Sequence, residues 1–298
     1  MKRSILLITV FSLILAFFVV PTAFGTGESY SDNCAPIAEN MEFKTYQNVA
    51  IEGAVSAVDP EGEDVIFLIS DAPKKGDLEF SETGDFIYTP KDGAKGKDKF
   101  TYYAVDTGDR KSNIATVTVV IEKQKTAVWY SDLENNKYHY PALALAERGI
   151  YVGESLGDEY FFSPDEPVTK GRFLAMCMNL CGTETIGGVI KTGYTDDDSI
   201  PMWTKPYAAA ALMTGVLDAS QKELKSEDTI TYGEAMIILD SAMNITDVYC
   251  DSAEDAAQAF ANLSACRIVK DDADADSDLT MGQAAEMLVA ACEVLERR

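Results

Sequence analysis

A four-residue motif that occurs three times in the second half of the chain is the strongest constraint on the fold. It reads VTKG at 168–171, ITYG at 230–233 and LTMG at 279–282, and each copy opens a segment with the apolar periodicity of a helix. About twenty residues before each threonine, a shorter helical segment ends in an aliphatic residue. Recurrence at this spacing is typical of an array in which each helix pair buries its apolar face against its neighbours.

The array divides into three repeats. We place them at 129–187, 188–247 and 248–298, and the third is degenerate. Its connecting loop carries the acidic run DDADADSD, which has the first three ligand positions of an EF-hand. Ser277 and Gln283 stand where that loop needs its glycine and its bidentate glutamate. We therefore predict a solvated acidic loop.

The motif threonines have the spacing of helix N-caps. Glu234 and Gln283 follow the second and third threonines by three residues, which is the capping-box arrangement. In the first copy Arg172 stands at that position. Helix capping alone can explain the recurring threonine.

The first half of the chain has strand texture. Short runs rich in Val, Ile, Phe, Tyr and Thr are separated by Gly, Pro and Asp, namely VAIEGAVSAV, DVIFLIS, GDFIYTP, KDKFTYYAV and IATVTVVI. This pattern predicts an all-β sandwich over 26–122, joined by a hydrophilic linker at 123–128 to an all-α array.

The first 25 residues have the pattern of a secretory signal peptide. Lys2 and Arg3 precede an apolar run, and Ala23 and Gly25 supply the small residues that a signal peptidase reads. We expect export, with no membrane anchor after cleavage. The chain has 49 acidic and 25 basic residues, and this acidic excess argues against a nucleic-acid partner.

Six cysteines in an exported chain raise the question of disulfides. The apolar neighbours of Cys177 and Cys181 favour core thiols. A bridge among Cys250, Cys266 and Cys292 is left open.

The second half resembles S-layer homology repeats, the modules that fasten bacterial surface proteins to the wall. The likeness is strongest in YSDL, ALALAERGIYVG and FFSPDEPVT of the first copy. The resemblance implies three helix pairs around a pseudo-threefold axis. It also implies noncovalent binding of a secondary cell-wall polysaccharide in grooves between them.

By this resemblance the polymer-binding residues would be Gly149, Gly153, Thr169, Lys170 and Tyr232. The family places an arginine directly after the motif threonine, and this chain has Lys170, Tyr232 and Met281 there. Only the first copy keeps a cation. A lysine beside free N–H groups of a helix N-terminus can hold a carboxylate, and an exposed lysine without a binding role is the alternative for Lys170. A groove or packing aromatic is the alternative for Tyr232, and Met281 is expected in the core.

The first half resembles the cadherin-like, bacterial immunoglobulin-like domains of surface proteins, in NCAPIAEN, SAVDPEGEDVIF and DKFTYYAVDTGDRKSNIATVTVVI. Its acidic turns supply oxygen ligands of the kind that Ca²⁺ takes, Asp59, Glu61, Asp64 and Asp106. Ordinary turn chemistry is the alternative explanation for these residues.

No catalytic motif accompanies the single histidine, His139, which we expect on a helix surface. We therefore expect a non-catalytic protein of the cell surface or S-layer, anchored to the wall polysaccharide. The alternative is a surface adhesin or glycan-binding protein with a calcium-stabilised β-domain.

Overall fold

A computed structural model describes residues 33–134, 136–250, 254–269 and 274–297. The expected signal peptide and the first part of the acidic run, Asp271 and Asp272, lie outside the described residues. Strands occupy the first part of the described chain and helices the second.

The first part is a β-sandwich of two sheets, with strand orders β2-β9-β8-β5 and β3-β7-β6, and with β1 paired to β4. β2 runs parallel to β9, and the other pairs are antiparallel. The strands are β1 Ile37–Ala38, β2 Met41–Tyr46, β3 Ile51–Ala54, β4 Ala57–Val58, β5 Ile66–Asp71, β6 Gly76–Phe80, β7 Asp85–Pro90, β8 Gly96–Val105 and β9 Ala115–Glu122.

All five predicted runs contain strands, and the predicted alternation in β9 is confirmed. Its buried residues are Ala115, Val117, Val119 and Ile121. Three strands of the sandwich lie outside the predicted runs, namely the two-residue β1 and the longer β2 and β6. β2 and β6 lie at the edge of their sheets and alternate charged with apolar side chains, so they lack a continuous apolar signal.

The second part contains the six predicted helices. They are α1 His139–Glu147, α2 Lys170–Leu180, α3 Lys205–Thr214, α4 Tyr232–Met243, α5 Asp255–Ala265 and α6 Met281–Arg297. The expectation of an all-α array is wrong in one place. The segment treated as the first connecting loop forms a hairpin of β10 Glu154–Leu156 and β11 Glu159–Phe161, which turns at Gly157 with a φ of 65°.

The predicted caps are confirmed. The Thr231 hydroxyl accepts the Glu234 N–H, and the Glu234 carboxylate accepts the Thr231 N–H in return. Thr280 and Gln283 make the same reciprocal pair. In the first copy only the threonine half of the box is present.

The three copies of the motif meet in a closed ring of backbone hydrogen bonds. The Val168 N–H donates to the Leu279 oxygen at 2.9 Å, the Ile230 N–H to the Val168 oxygen at 2.9 Å, and the Leu279 N–H to the Ile230 oxygen at 3.0 Å. All three aliphatic side chains are fully buried. The ring therefore has approximate threefold symmetry and lies in the core.

The motif glycines let each long helix approach its neighbour closely. The Gly171, Gly233 and Gly282 N–H groups donate to the carbonyls of Ser226, Ala275 and Pro164. A Cβ atom on Gly282 would lie 2.4 Å from the Tyr138 ring. Any larger residue there would have to displace the Tyr138 ring.

The β-sandwich and the helices share a hydrophobic joint. Tyr46 and Val49, from the sandwich, belong to the same buried cluster as the helical core. The rings of Tyr46 and Tyr140 lie 5.6 Å apart. Around this joint, Glu296 accepts hydrogen bonds from Lys44 and from Arg148. The linker is fixed as well, because the backbone N–H groups of 125 and 126 both donate to the Glu147 carboxylate.

All six cysteines lie in the described ranges, and the structure places none of them in a disulfide. The bridge left open among the last three is therefore not formed. Burial raises the pKa of Cys177, and it raises the pKa of Cys292 to about 11. Both thiols are protonated and act as small apolar core side chains.

Candidate functional site

The N-terminus of α2 differs from what the sequence suggested, because its N–H groups are not free. The N–H groups of Lys170 and Gly171 donate to the carbonyls of Asp228 and Ser226, and the Arg172 N–H donates to the Thr169 hydroxyl. Thr169 is thus a cap, and the first turn of α2 holds the second repeat rather than an anion.

The Lys170 side chain joins two repeats. Its Nζ atom lies 2.7 Å from Oε1 of Glu234, and 19% of its side chain is exposed. The other carboxylate oxygen of Glu234 accepts the Thr231 N–H. One carboxylate therefore caps α4 and neutralises the lysine that we expected to face an anionic sugar.

Lys170 lines a cleft of about 490 Å³ between repeats. Gly215 also lines this cleft. It ends the short helix of the second copy as Gly149 follows that of the first, in the sequences GV and GI. The cleft is acidic, since it is lined by Asp218, Glu234, Asp240, Asp247 and Asp255. The pKa of Asp240 is raised, mainly by burial and further by the nearby Asp247 carboxylate. The negative electrostatic potential of this acidic cleft disfavours an anionic ligand.

A second cation of the first copy lies against an aromatic ring. The guanidinium carbon of Arg172 is 5.9 Å from the centre of the Tyr151 ring, and about a third of the arginine side chain is exposed. Glu154, itself 75% exposed, lies 3.6 Å from the guanidinium. A planar cation over an aromatic ring offers both a carboxylate partner and a stacking face for a sugar.

From the sequence, Arg172 stood out only because it occupies the position where a capping box would have Glu or Gln. That absence was the available signal. An N3 residue that does not return to the backbone is free to point elsewhere, and Arg172 contacts Tyr151.

The other predicted polymer-binding residues have structural roles. Gly149 has a φ of 67° just beyond α1, and Gly153 has a φ of 80°. A Cβ atom on Gly153 would lie 2.4 Å from the Phe161 carbonyl oxygen. Tyr232 is half-buried at the start of α4, packs against the helical core, and donates its N–H to the Ser277 carbonyl. Met281 is fully buried, as expected.

Two of the four predicted calcium ligands hold turns together. The Asp59 Oδ1 atom accepts the N–H groups of Glu61 and Glu63, and the Asp106 Oδ1 atom accepts those of Gly108 and Arg110. These are Asx-type turns. The turns are neighbours, because the Thr107 hydroxyl donates to the Glu63 carboxylate.

The remaining oxygen of each aspartate is the feature that fits a cation. Oδ2 of Asp59 and Oδ2 of Asp106 are buried and have no hydrogen-bond partner. Glu61 accepts the Cys34 N–H, and Asp64 is exposed. Across the described ranges, His, Cys, Asp and Glu side chains form no group of three or more that could hold a metal ion.

His139 is not on a helix surface as we expected. It is 5% exposed, and its ring centre lies 4.6 Å from that of Trp129 in an edge-to-face arrangement. Its Nε2 atom has no hydrogen-bond partner among the described residues. Burial lowers its pKa, although the Asp132 carboxylate opposes this. The imidazole is thus a neutral core group.

Comparison with known protein families finds a match for the β-sandwich. The profile of a bacterial cadherin-like domain matches residues 33–123. No curated protein matches the sequence. None of the helices among the described residues is long and apolar enough to span a bilayer.

Three solved structures show slight similarity. They are an endo-fucoidan hydrolase from glycoside hydrolase family 107 (11% identity, TM-score 0.26), the D00-D0 domain of intimin (16%, 0.25) and the sialic acid binding region of a Streptococcus sanguinis SK1 adhesin (15%, 0.23). The matches cover 37%, 32% and 33% of this chain. They span 17%, 50% and 31% of the three other chains.

Proposed function

We propose that this chain is an exported, non-catalytic surface protein whose helical half binds a secondary cell-wall polysaccharide noncovalently. In this proposal the helical half is a set of three S-layer homology repeats, and it displays the bacterial cadherin-like domain at the cell surface. The observation that carries the proposal is the closed ring formed by Val168, Ile230 and Leu279. A ring of three like segments is the arrangement that the resemblance implies, with a groove between successive repeats.

We place the polymer on the face formed by Tyr151 and Arg172. Lys170 is neutralised by Glu234 in an acidic cleft, whereas Arg172 is partly exposed beside an aromatic ring. Its ion-pair partner among the described residues, Glu154, is highly exposed, and such a pair is weak in water. A carboxylate-bearing sugar can displace it and stack on Tyr151.

The test is sedimentation of the exported chain with isolated walls, before and after chemical removal of the non-peptidoglycan polymer. Full-length exported protein is required, because a fragment without the sandwich would lose Tyr46 and Val49 from the helical core. Arg172→Ala and Lys170→Ala are compared with Arg110→Ala, a matched loss of an exposed arginine on the sandwich.

We expect Arg172→Ala to abolish wall binding at an unchanged melting temperature, and Arg110→Ala to bind like the parent. Loss in Lys170→Ala alone would assign the polymer to the acidic cleft instead. A parent protein that does not sediment, or that binds equally well after polymer removal, would reject the anchor.

A second candidate is a surface adhesin or glycan-binding protein with a calcium-stabilised β-domain. The buried, unpartnered oxygens of Asp59 and Asp106 favour it. In that case the two aspartates would be ligands and the turn backbone or water would complete the shell. The calcium would act on stability.

A further inference from the structure

One end of the β-sandwich carries a concentration of lysines that the proposed function does not use. Residues 74–99 contain six acidic residues and also six exposed lysines, in a chain whose formal net charge is −24. Four of them line a cleft of about 600 Å³, which we name the lysine cleft: Lys74, Lys75, Lys97 and Lys99. The patch is local, because exposed charges farther away than about 8 Å are largely screened at physiological salt.

The buried side chain of Asp98 holds the lysine cleft in shape. Asp98 is 6% exposed, and its carboxylate accepts the backbone N–H groups of Lys74 at 3.1 Å and Lys75 at 2.7 Å. The Tyr88 hydroxyl donates to it at 2.9 Å. Burial alone would raise the pKa of Asp98, but these donors lower it, so the group is ionised and firmly bound. The β5–β6 loop is therefore preorganised.

Two cations of the cleft are available to a ligand. Lys97 pairs with Glu42 at 3.0 Å, and Lys75 donates to the Lys95 carbonyl at 2.8 Å. Lys74 and Lys99 make no ion pair with any of the described residues.

The carboxylates around the cleft cancel only part of the lysine charge. Asp98 is committed to its three donors, and Asp71 accepts the Thr101 hydroxyl at 3.1 Å. Four lysines against these two carboxylates and the Glu42 carboxylate that pairs with Lys97 leave an excess of one positive charge at the cleft.

We propose that the lysine cleft binds an anionic polysaccharide, with Lys74 and Lys99 contacting its carboxylate or sulfate groups. The cleft has the volume of a pocket for a small ligand or a few sugar units. A protein partner would need a contact of about 800 Å² on each side, which favours a broad surface over a small cleft. The Thr118 and Thr101 hydroxyls line the same cleft, and Thr118 lies opposite Lys99 in the sheet register. They offer hydrogen bonds to sugar hydroxyls.

This site is independent of the wall anchor, since it lies on the other half of the chain and shares no residue with the Arg172 face. Wall sedimentation tests the anchor. The lysine cleft is tested with purified polymers in the absence of walls, so the two proposals fail separately.

The experiment measures binding of the exported chain to polygalacturonate, dextran sulfate and neutral dextran by calorimetry at low salt and again at 1 M salt. The test variant is Lys74→Glu/Lys99→Glu, which keeps the backbone N–H of Lys74 for Asp98. The matched control is Lys191→Glu/Lys222→Glu, the same charge change at two exposed lysines of the helical half. Melting temperatures of both variants report folding.

We expect the parent to bind polygalacturonate or dextran sulfate but not dextran, and to lose binding at 1 M salt, where the screening length is about 3 Å. The test variant should bind about tenfold or more weakly, because two attractive contacts become repulsive, and the control should bind like the parent. The proposal is overturned if the parent binds neither polyanion, or if the test variant binds as well as the control. It is also overturned if the lysines instead support a salt-sensitive association of two copies with no polymer bound.

Discussion

Tyr46 provides the sharpest test of how the two halves of the chain are joined. Its side chain is 6% exposed and packs in the helical core, although it is the last residue of a sandwich strand. Burial is the main cause that raises its pKa to about 12, so both ring and hydroxyl are desolvated. Truncation of a buried aromatic residue costs about 3–5 kcal/mol, a large share of the stability of a typical domain. We expect Tyr46→Ala to lower the free energy of unfolding by that amount.

Hydrogen exchange followed by mass spectrometry locates the effect. The loss of the Tyr46 ring should raise exchange in α1, because Tyr140 lies in this helix and loses its aromatic neighbour. Tyr46→Phe keeps the ring and should exchange like the parent. Phe86→Ala is the matched control, since Phe86 is 3% exposed and belongs only to the sandwich core.

Phe86→Ala should raise hydrogen exchange in the sandwich strands and leave exchange in α1 unchanged. If Tyr46→Ala leaves exchange in α1 unchanged, or if Phe86→Ala loosens α1 equally, the joint does not couple the halves and our account of it is wrong.

Three further predictions concern single residues. Burial lowers the pKa of His139, so at acidic pH the unfolded chain binds a proton at this residue more readily than the folded chain does. The free energy of unfolding should therefore fall as the pH drops below about 6.5, by at most about 1.4 kcal/mol per pH unit, until the folded-state pKa is reached. Urea unfolding at several pH values, followed by tryptophan fluorescence, should show this loss in the parent and not in His139→Gln. Thr231→Ala should cost about 1 kcal/mol in thermal melts and Thr231→Asp much less, since aspartate also caps; an aspartate variant that melts like the parent but no longer binds walls would reveal a ligand role. If Ca²⁺ binds the β-domain, it should raise the melting temperature of the parent. Asp106→Asn keeps the Oδ1 acceptor and replaces the unpartnered oxygen, so Ca²⁺ should not raise the melting temperature of this variant. An equal rise in both proteins would exclude Asp106 as a ligand.

Local signals made much of the fold predictable. The helices follow from apolar periodicity, and the threonine caps follow from a partner three residues away. The central strands β8 and β9 follow from apolar alternation. Each of these signals is contained in a short stretch of chain.

What could not be predicted depends on residues distant in the sequence. Lys170 looked like a free cation because its partner, Glu234, is 64 positions away. The N–H groups at the start of α2 looked free because their acceptors lie in the next repeat. His139 looked exposed because its burial depends on how its helix packs, and the joint at Tyr46 joins segments almost a hundred residues apart.

A comparison of the three copies with one another separates the needs of the fold from the needs of a ligand. The positions that stay alike, namely the aliphatic residue, the threonine and the glycine, are those whose backbone or caps build the ring. The ring closes only if every copy contributes, so even the degenerate third copy must keep Leu279, Thr280 and Gly282. The position three residues after the threonine differs in each copy: Glu234 and Gln283 return to cap the backbone, whereas Arg172 extends to Tyr151. Three repeats are therefore required to build the fold, but the position three residues after the threonine carries a cation in the first repeat alone. If Arg172 binds the wall polymer as proposed, the second and third repeats should not compensate for its loss.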